Sequence, residues 1–216
     1  MPKNNAKLNN TVMVYVSTFD NDVAVECVEP AIRNELIQRC TNQRAKQQRY
    51  CVWRLFDYAL RDCYDGGVAD FDFYVDGNGK WNSHNCICFS LAHCNNVVAV
   101  AVCNHAVGID VEAVANFTRH SGSAEFAERV LTDNEQLLLQ DLPIDARAEL
   151  LAKLWTKKES IFKLRGASAF VPKSIDTTIK PARSQLLTLD GQYVLSLATY
   201  IPAKIELVQI DWKLCK

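Results

Sequence analysis

The sequence predicts an α+β protein made of two pseudo-symmetric lobes, each an antiparallel sheet packed with helices. Three observations carry this. The 216 residues suit one large domain or two small ones sharing a core. Segments of alternating and of helical apolar periodicity follow one another twice in the same order: strand, helices, antiparallel strands. No Pro-, Gly- or Ser-rich linker and no low-complexity tract divides the chain. The halves are expected to meet near Asn104–Ala106, giving an N-terminal lobe over 1–105 and a C-terminal lobe over 106–216.

The first half opens with a strand over Thr11–Ser17. Helices are expected over Ala31–Asp62, broken near Thr41-Asn42. Strands follow at 71–75, 86–92 and 97–103, the last two joined by the turn Cys94-Asn95-Asn96. The second half opens with a strand at 107–112. Helices are expected at 124–130, 133–141 and 145–164, then strands at 174–180, 184–189, 192–199 and 204–212. Thr132-Asp133-Asn134-Glu135 fits a capping box, and Asp190-Gly191 between apolar runs is a hairpin signal.

Composition narrows the function. With 24 Lys+Arg against 25 Asp+Glu, the chain lacks the basic excess of a general nucleic-acid binder. A charged fraction of 23% with nine Phe and four Trp excludes wholesale disorder. The longest apolar run, Val97 to Cys103, is far short of the roughly 18–20 residues that cross a bilayer. The start, MPKNNAKLNN, has no apolar signal-peptide stretch, so a cytoplasmic protein is expected. The nine cysteines then read as small buried hydrophobes. Cys86-Ile87-Cys88 has the wrong spacing for a zinc site, and no second pair is placed to complete one.

Three segments break the local rules. In Val107-Gly108-Ile109-Asp110-Val111-Glu112, strand alternation puts Asp110 and Glu112 on one face and Ile109 and Val111 in a core. Two adjacent like charges disfavour each other unless a cation sits between them, and oxygen ligands so placed suit Mg²⁺. A solvated edge bearing two unrelated carboxylates fits the segment as well. In Leu150–Gly166, Leu150, Leu151, Leu154, Trp155, Ile161 and Phe162 form one apolar stripe. Lys158 falls near its middle, where an ammonium should not be. Glu159 lies at its edge, with Lys163 one turn on. An exposed Glu159–Lys163 pair accounts for two of these residues. A buried anionic ligand accounts for all three. In the basic helix from Arg44 to Arg61, Val52, Leu55, Phe56 and Ala59 mark the buried face. Arg54 and Arg61 point to water, while Arg44 and Arg49 flank the apolar face. His93 ends an apolar strand, a place as suited to structure as to catalysis.

Val107–Glu112 followed by Trp155-Thr156-Lys157-Lys158-Glu159-Ser160-Ile161-Phe162-Lys163 resembles the paired signature of the 4′-phosphopantetheinyl transferases of surfactin-synthetase-activating (Sfp) type. Gly79-Lys80 and the segment from Phe89 to Val102 resemble two further motifs of that family. Trp81 stands where the family has proline, and Ala92 and Cys94 where serines flank the histidine. The resemblance runs from about residue 44 to 166 and implies the two-lobed transferase fold, with its active site between the lobes. It implies transfer of phosphopantetheine from coenzyme A to a serine of an apo acyl or peptidyl carrier protein, releasing 3′,5′-ADP, as in a holo-acyl-carrier-protein synthase. It implies Mg²⁺, or Mn²⁺, on Asp110, Glu112 and Glu159. Lys163 would meet the pyrophosphate, and Glu159 would serve as base, directly or through water. Lys158, Lys80, His93, Arg44 and Arg49 would hold the nucleotide. The carrier is expected to dock near Phe117 and Arg119 on a monomer, with neither nucleic acid nor membrane as partner.

Two other classes compete. A non-catalytic protein that binds coenzyme A or a carrier would use the same cleft without turnover. A Mg²⁺-dependent nuclease also combines acidic residues with Glu and Lys, but there the two lie two apart on a strand. Here Glu159 and Lys163 are four apart in a helical pattern.

Overall fold

A computed structural model describes residue 8, residues 10–179 and residues 183–215. Strand β1 (Thr11–Thr18) leads to helices α1 (Ala31–Gln38) and α2 (Gln43–Cys63), then to strands β2 (Phe73–Val75), β3 (Trp81–Ser83), β4 (Cys88–Cys94) and β5 (Val97–Cys103). Strand β6 (Val107–Ala113) runs into a 3₁₀ helix over Val114–His120. Helices α3 (Ala124–Val130), α4 (Asp133–Gln140) and α5 (Ile144–Arg165) follow, then β7 (Arg183–Leu189), β8 (Tyr193–Thr199) and β9 (Lys204–Asp211).

The architecture is four layers, each fixed by side-chain alternation. A four-stranded sheet, β4-β5-β1-β9, packs one face on α2 and the other on a three-stranded sheet, β6-β8-β7. Along β1, Met13 and Tyr15 enter the α2 core with Phe56 and Trp53, while Val12, Val14 and Val16 meet Ile109 and Val111 between the sheets. Helix α5 covers the outer face of the three-stranded sheet, Leu151 and Leu154 packing with Val194.

The two edge strands β4 and β6 lie side by side without a ladder. Side chains close the gap: Ser90 Oγ accepts from Ile109 N–H at 3.0 Å, and Cys94 Sγ accepts from Ala113 N–H at 3.3 Å. Strand β9 departs from the expected antiparallel order. It pairs in parallel with β1, Val12 opposite Ile205, and so joins the sheet built from the N-terminal strands.

Most element expectations hold, including the capping box at Thr132 and the turn at Asp190-Gly191, where both residues take positive φ, 50° and 66°. Residues 174–179 are not a strand. Pro172–Ser174 turns in a 3₁₀ helix, and side chains then satisfy the backbone: Thr177 N–H donates to Glu135 and Thr178 N–H to Asp176. Residue 180, the end of that expected strand, lies outside the described residues. Of the cysteines, Cys51, Cys63, Cys94, Cys103 and Cys215 are buried as expected, whereas Cys27 and Cys86 are exposed. Cys86 precedes β4 with φ 60°, so it does not share a strand face with Cys88. Arg54, expected in solvent, donates through Nε to the carbonyl of Cys215 at 2.9 Å.

Candidate active site

The site begins where α5 crosses β6. A Cβ on Gly108 would stand 2.0 Å from the Ser160 carbonyl oxygen and 2.5 Å from Leu164 N. Only glycine lets the helix approach the strand this closely. Two and four residues on, Asp110 and Glu112 leave β6 toward α5, and α5 returns Glu159 and Lys163 from successive turns.

Lys163 Nζ lies 2.8 Å from Asp110 Oδ1 and 3.4 Å from the Leu91 carbonyl. Asp110 Oδ2 is buried without a hydrogen-bond partner. Glu112 Oε2 accepts from Cys94 Sγ at 3.1 Å and from Asn116 Nδ2 at 3.3 Å. Burial pushes the Asp110 carboxyl above its ordinary range against the pull of Lys163. Burial, then the Asp110 charge, raises Glu112. Burial, then the same charge, lifts Glu159 to about 7, with Lys163 opposing and Glu112 adding to the rise. Three carboxylates therefore share one field, with one ammonium to balance them. Among the described residues, no three His, Cys, Asp or Glu side chains are drawn into a closed metal-ligating cluster. The donor set nevertheless fits a hard divalent cation: all three donors are carboxylate oxygens, and one buried oxygen of Asp110 lacks a partner.

A group of cations lies within electrostatic reach of Lys163. His93 is exposed at the end of β4, yet the protein around it, followed by Lys163, Arg33 and Arg49, depresses its pKa to about 4. The Arg33 guanidinium lies 5.4 Å from the ring centroid of Trp53 and 5.8 Å from that of Trp81. Burial and then Arg49 lower it to about 10. Cations gathered in this way suit an anion. Arg33 escaped the sequence reading, although it shares a face of α1 with the buried Ile37 four residues on. Lys80 Nζ caps the end of α5 through the Lys163 carbonyl at 2.8 Å and lines a cavity of about 230 Å³ with Trp81, Leu91, Phe162 and Lys163.

Three expected residues are placed otherwise. Lys158 is fully buried and reaches no cleft. It pairs with Glu135 Oε2 at 2.6 Å and donates to the carbonyls of Pro172, at 2.9 Å, and Ile175. The anion that explains a lysine in the apolar stripe is thus internal. Arg44 stacks on the Phe19 ring at 4.9 Å, and its charge acts on Cys51 rather than on His93. Phe117 does not stand free on the surface but packs against Phe126 and Trp155, in the wall of the groove that Arg119 lines. Arg119 is exposed and lines a groove of about 850 Å³ with Glu112, Asn116, His120 and Trp155.

Residues 106–206 match the family model described as the 4′-phosphopantetheinyl transferase superfamily. A 4′-phosphopantetheinyl transferase of Aneurinibacillus migulanus is 31% identical over 84 residues, 39% of this chain and 33% of the relative. One from Bacillus pumilus is 26% identical over 173 residues, 72% of each chain. One from Escherichia coli K12 is 25% identical over 125 residues, 57% of this chain and 63% of the relative. The match with the first therefore spans about a third of that relative's length. The matched region covers just under half of the chain and holds all three carboxylates and Lys163, so it is in the site itself that the chain is similar to the 4′-phosphopantetheinyl transferase superfamily.

Proposed function

We propose that the chain transfers the 4′-phosphopantetheine group of coenzyme A to a serine hydroxyl of an apo carrier protein, using Mg²⁺ or Mn²⁺ and releasing 3′,5′-ADP. The observation that carries this reading is the meeting of Asp110, Glu112, Glu159 and Lys163 near His93, Arg33 and Arg49. In this reading residues 1–105 together with β9 form one lobe and the rest of 106–216 the other, His93, Arg33 and Arg49 coming from the first and the carboxylates from the second. A cytoplasmic monomer fits the same reading.

Asp110, Glu112 and Glu159 would hold the cation, which neutralises a diphosphate and the charge that grows on the leaving phosphate. Lys163 already lies against Asp110 and would bind a diphosphate oxygen. Arg33, Arg49 and His93 would hold the remaining phosphate of the nucleotide, and Lys80 would bound its seat. The carrier serine oxygen attacks the phosphorus bearing pantetheine, and the bond from that phosphorus to the bridging oxygen breaks. The serine proton passes to Glu159, directly or through water, and the electron pair leaves with 3′,5′-ADP. The carrier would seat in the groove beside Arg119.

The test is intact-mass spectrometry of an apo carrier incubated with the chain, coenzyme A and Mg²⁺. We expect the mass of one phosphopantetheine group on the carrier, abolished by EDTA and severely reduced in Glu159→Gln. Tight 3′,5′-ADP binding with no carrier modification across a panel of carriers would instead leave a coenzyme A-binding protein without turnover. Cleavage of a phosphodiester substrate would point to a nuclease.

A further inference from the structure

We propose that Cys94 and Asn116 are positioning residues that aim Glu112 at the divalent cation, an inference that rests on the metal-site reading above. The directions of the hydrogen bonds lead there. Cys94 Sγ accepts from the Ala113 N–H at 3.3 Å and from Asn116 Nδ2 at 3.2 Å. With its lone pairs so used, the thiol has its one proton left, and that proton points to Glu112 Oε2 at 3.1 Å. Asn116 reaches the same oxygen at 3.3 Å with its amide nitrogen. Both donors grip Oε2 and neither uses Oε1, which fixes the plane of the carboxylate without occupying its other oxygen.

The chain brings the three groups together from two directions. Cys94 ends β4, the edge strand beside β6, and stands opposite the end of β6 that carries Glu112. The 3₁₀ helix after β6 folds Asn116 back over Glu112, four residues earlier. Asn116 also lines the groove beside Arg119, so the metal ligand and the proposed carrier seat share a wall.

Mn²⁺ binding by the full chain, read from the paramagnetic resonance signal of free Mn²⁺, tests this without turnover. Outer-shell partners of a metal ligand are worth about 10–100-fold in affinity, and a thiol is a weak donor, so Cys94→Ala and Asn116→Ala should each weaken Mn²⁺ by about tenfold. Cys94→Ser keeps the donor and should stay within about threefold of wild type. In the carrier assay, the two alanine variants should raise the Mg²⁺ needed for half-maximal rate. Asn116→Ala keeps the test open if Cys94→Ala fails to fold, since Ala113 N–H then loses no acceptor. Unchanged Mn²⁺ affinity in both alanine variants, or a serine variant as weak as the alanine, would overturn the proposal. If Glu112→Gln itself binds Mn²⁺ like wild type, the metal site as a whole falls, an outcome distinct from failure of the positioning pair alone.

Discussion

Replacing Lys158 by methionine should cost stability and leave nucleotide affinity alone. Neither Lys158 nor Glu135 exposes any side-chain surface, and their charged atoms lie 2.6 Å apart. The substitution strands the Glu135 carboxylate and removes the donor from two carbonyls, those of Pro172 and Ile175. Breaking a buried ion pair from one side costs about 3–5 kcal/mol. Glu135 would keep the Thr132 N–H at 2.9 Å and two bonds from Thr177, at 2.9 and 2.8 Å, which favours the lower end. At about 2–4 °C per kcal/mol for a chain of this size, Tm should fall by roughly 10 °C. Adding Glu135→Gln should recover part of that loss, because no buried charge then lacks a partner. Thermal melts of the two variants, with calorimetric titration of 3′,5′-ADP, read both quantities. A variant of wild-type Tm that binds 3′,5′-ADP more than tenfold more weakly would refute the placement and return Lys158 to the ligand site.

Other perturbations reach the remaining parts of the site. Gly108→Ala drives a methyl into the backbone of Ser160 and Leu164, so Tm should fall by the equivalent of about 3 kcal/mol or more; a melt like wild type would mean the strand and helix are not in this contact. Arg33→Ala should weaken 3′,5′-ADP by about tenfold or more, the worth of a charge-assisted hydrogen bond, while Mn²⁺ affinity holds; unchanged nucleotide binding by calorimetry would remove Arg33 from the site. The His93 ring should titrate near 4 in the free protein, and a bound phosphate should raise that pKa by favouring the protonated ring. Proton uptake on binding then strengthens affinity as pH falls through the raised pKa. An NMR titration showing His93 at an ordinary imidazole pKa in the free protein would contradict this.

Much of the site could be read before folding because its signals are local. Asp110 and Glu112 show themselves by two-residue spacing on a strand, and Glu159 and Lys163 by four-residue spacing on a helix, spacings that fix a common face whatever surrounds them. What failed depends on partners distant in sequence. The reading of Lys158 as a cation in an apolar stripe was correct, but its partner is Glu135, visible only as the third residue of a capping box. That one carboxylate caps α4, holds Thr177 and neutralises Lys158. The same carboxylate turned the apolar run after Ser174 into a pinned loop instead of a strand. Alternation marked β9 as a strand but carries no information about its neighbour, so its parallel seat beside β1 was hidden. Arg44 and Arg49 lie on one helix and looked equivalent. Only the position of Phe19 separates them, holding the first on its ring while the second faces His93 and Arg33. Arg33 was obscured because α1 is short and the cation that caps its end, Arg39, is an ordinary exposed partner of Glu35.

The most direct measurement is anomalous diffraction from crystals of the chain grown with Mn²⁺ and coenzyme A. One strong Mn²⁺ peak bridging oxygens of Asp110, Glu112, Glu159 and the diphosphate, with Lys163 released from Asp110 toward that diphosphate, is the expected result. A metal peak away from these three carboxylates, or a diphosphate bound elsewhere than between them and His93, would contradict it.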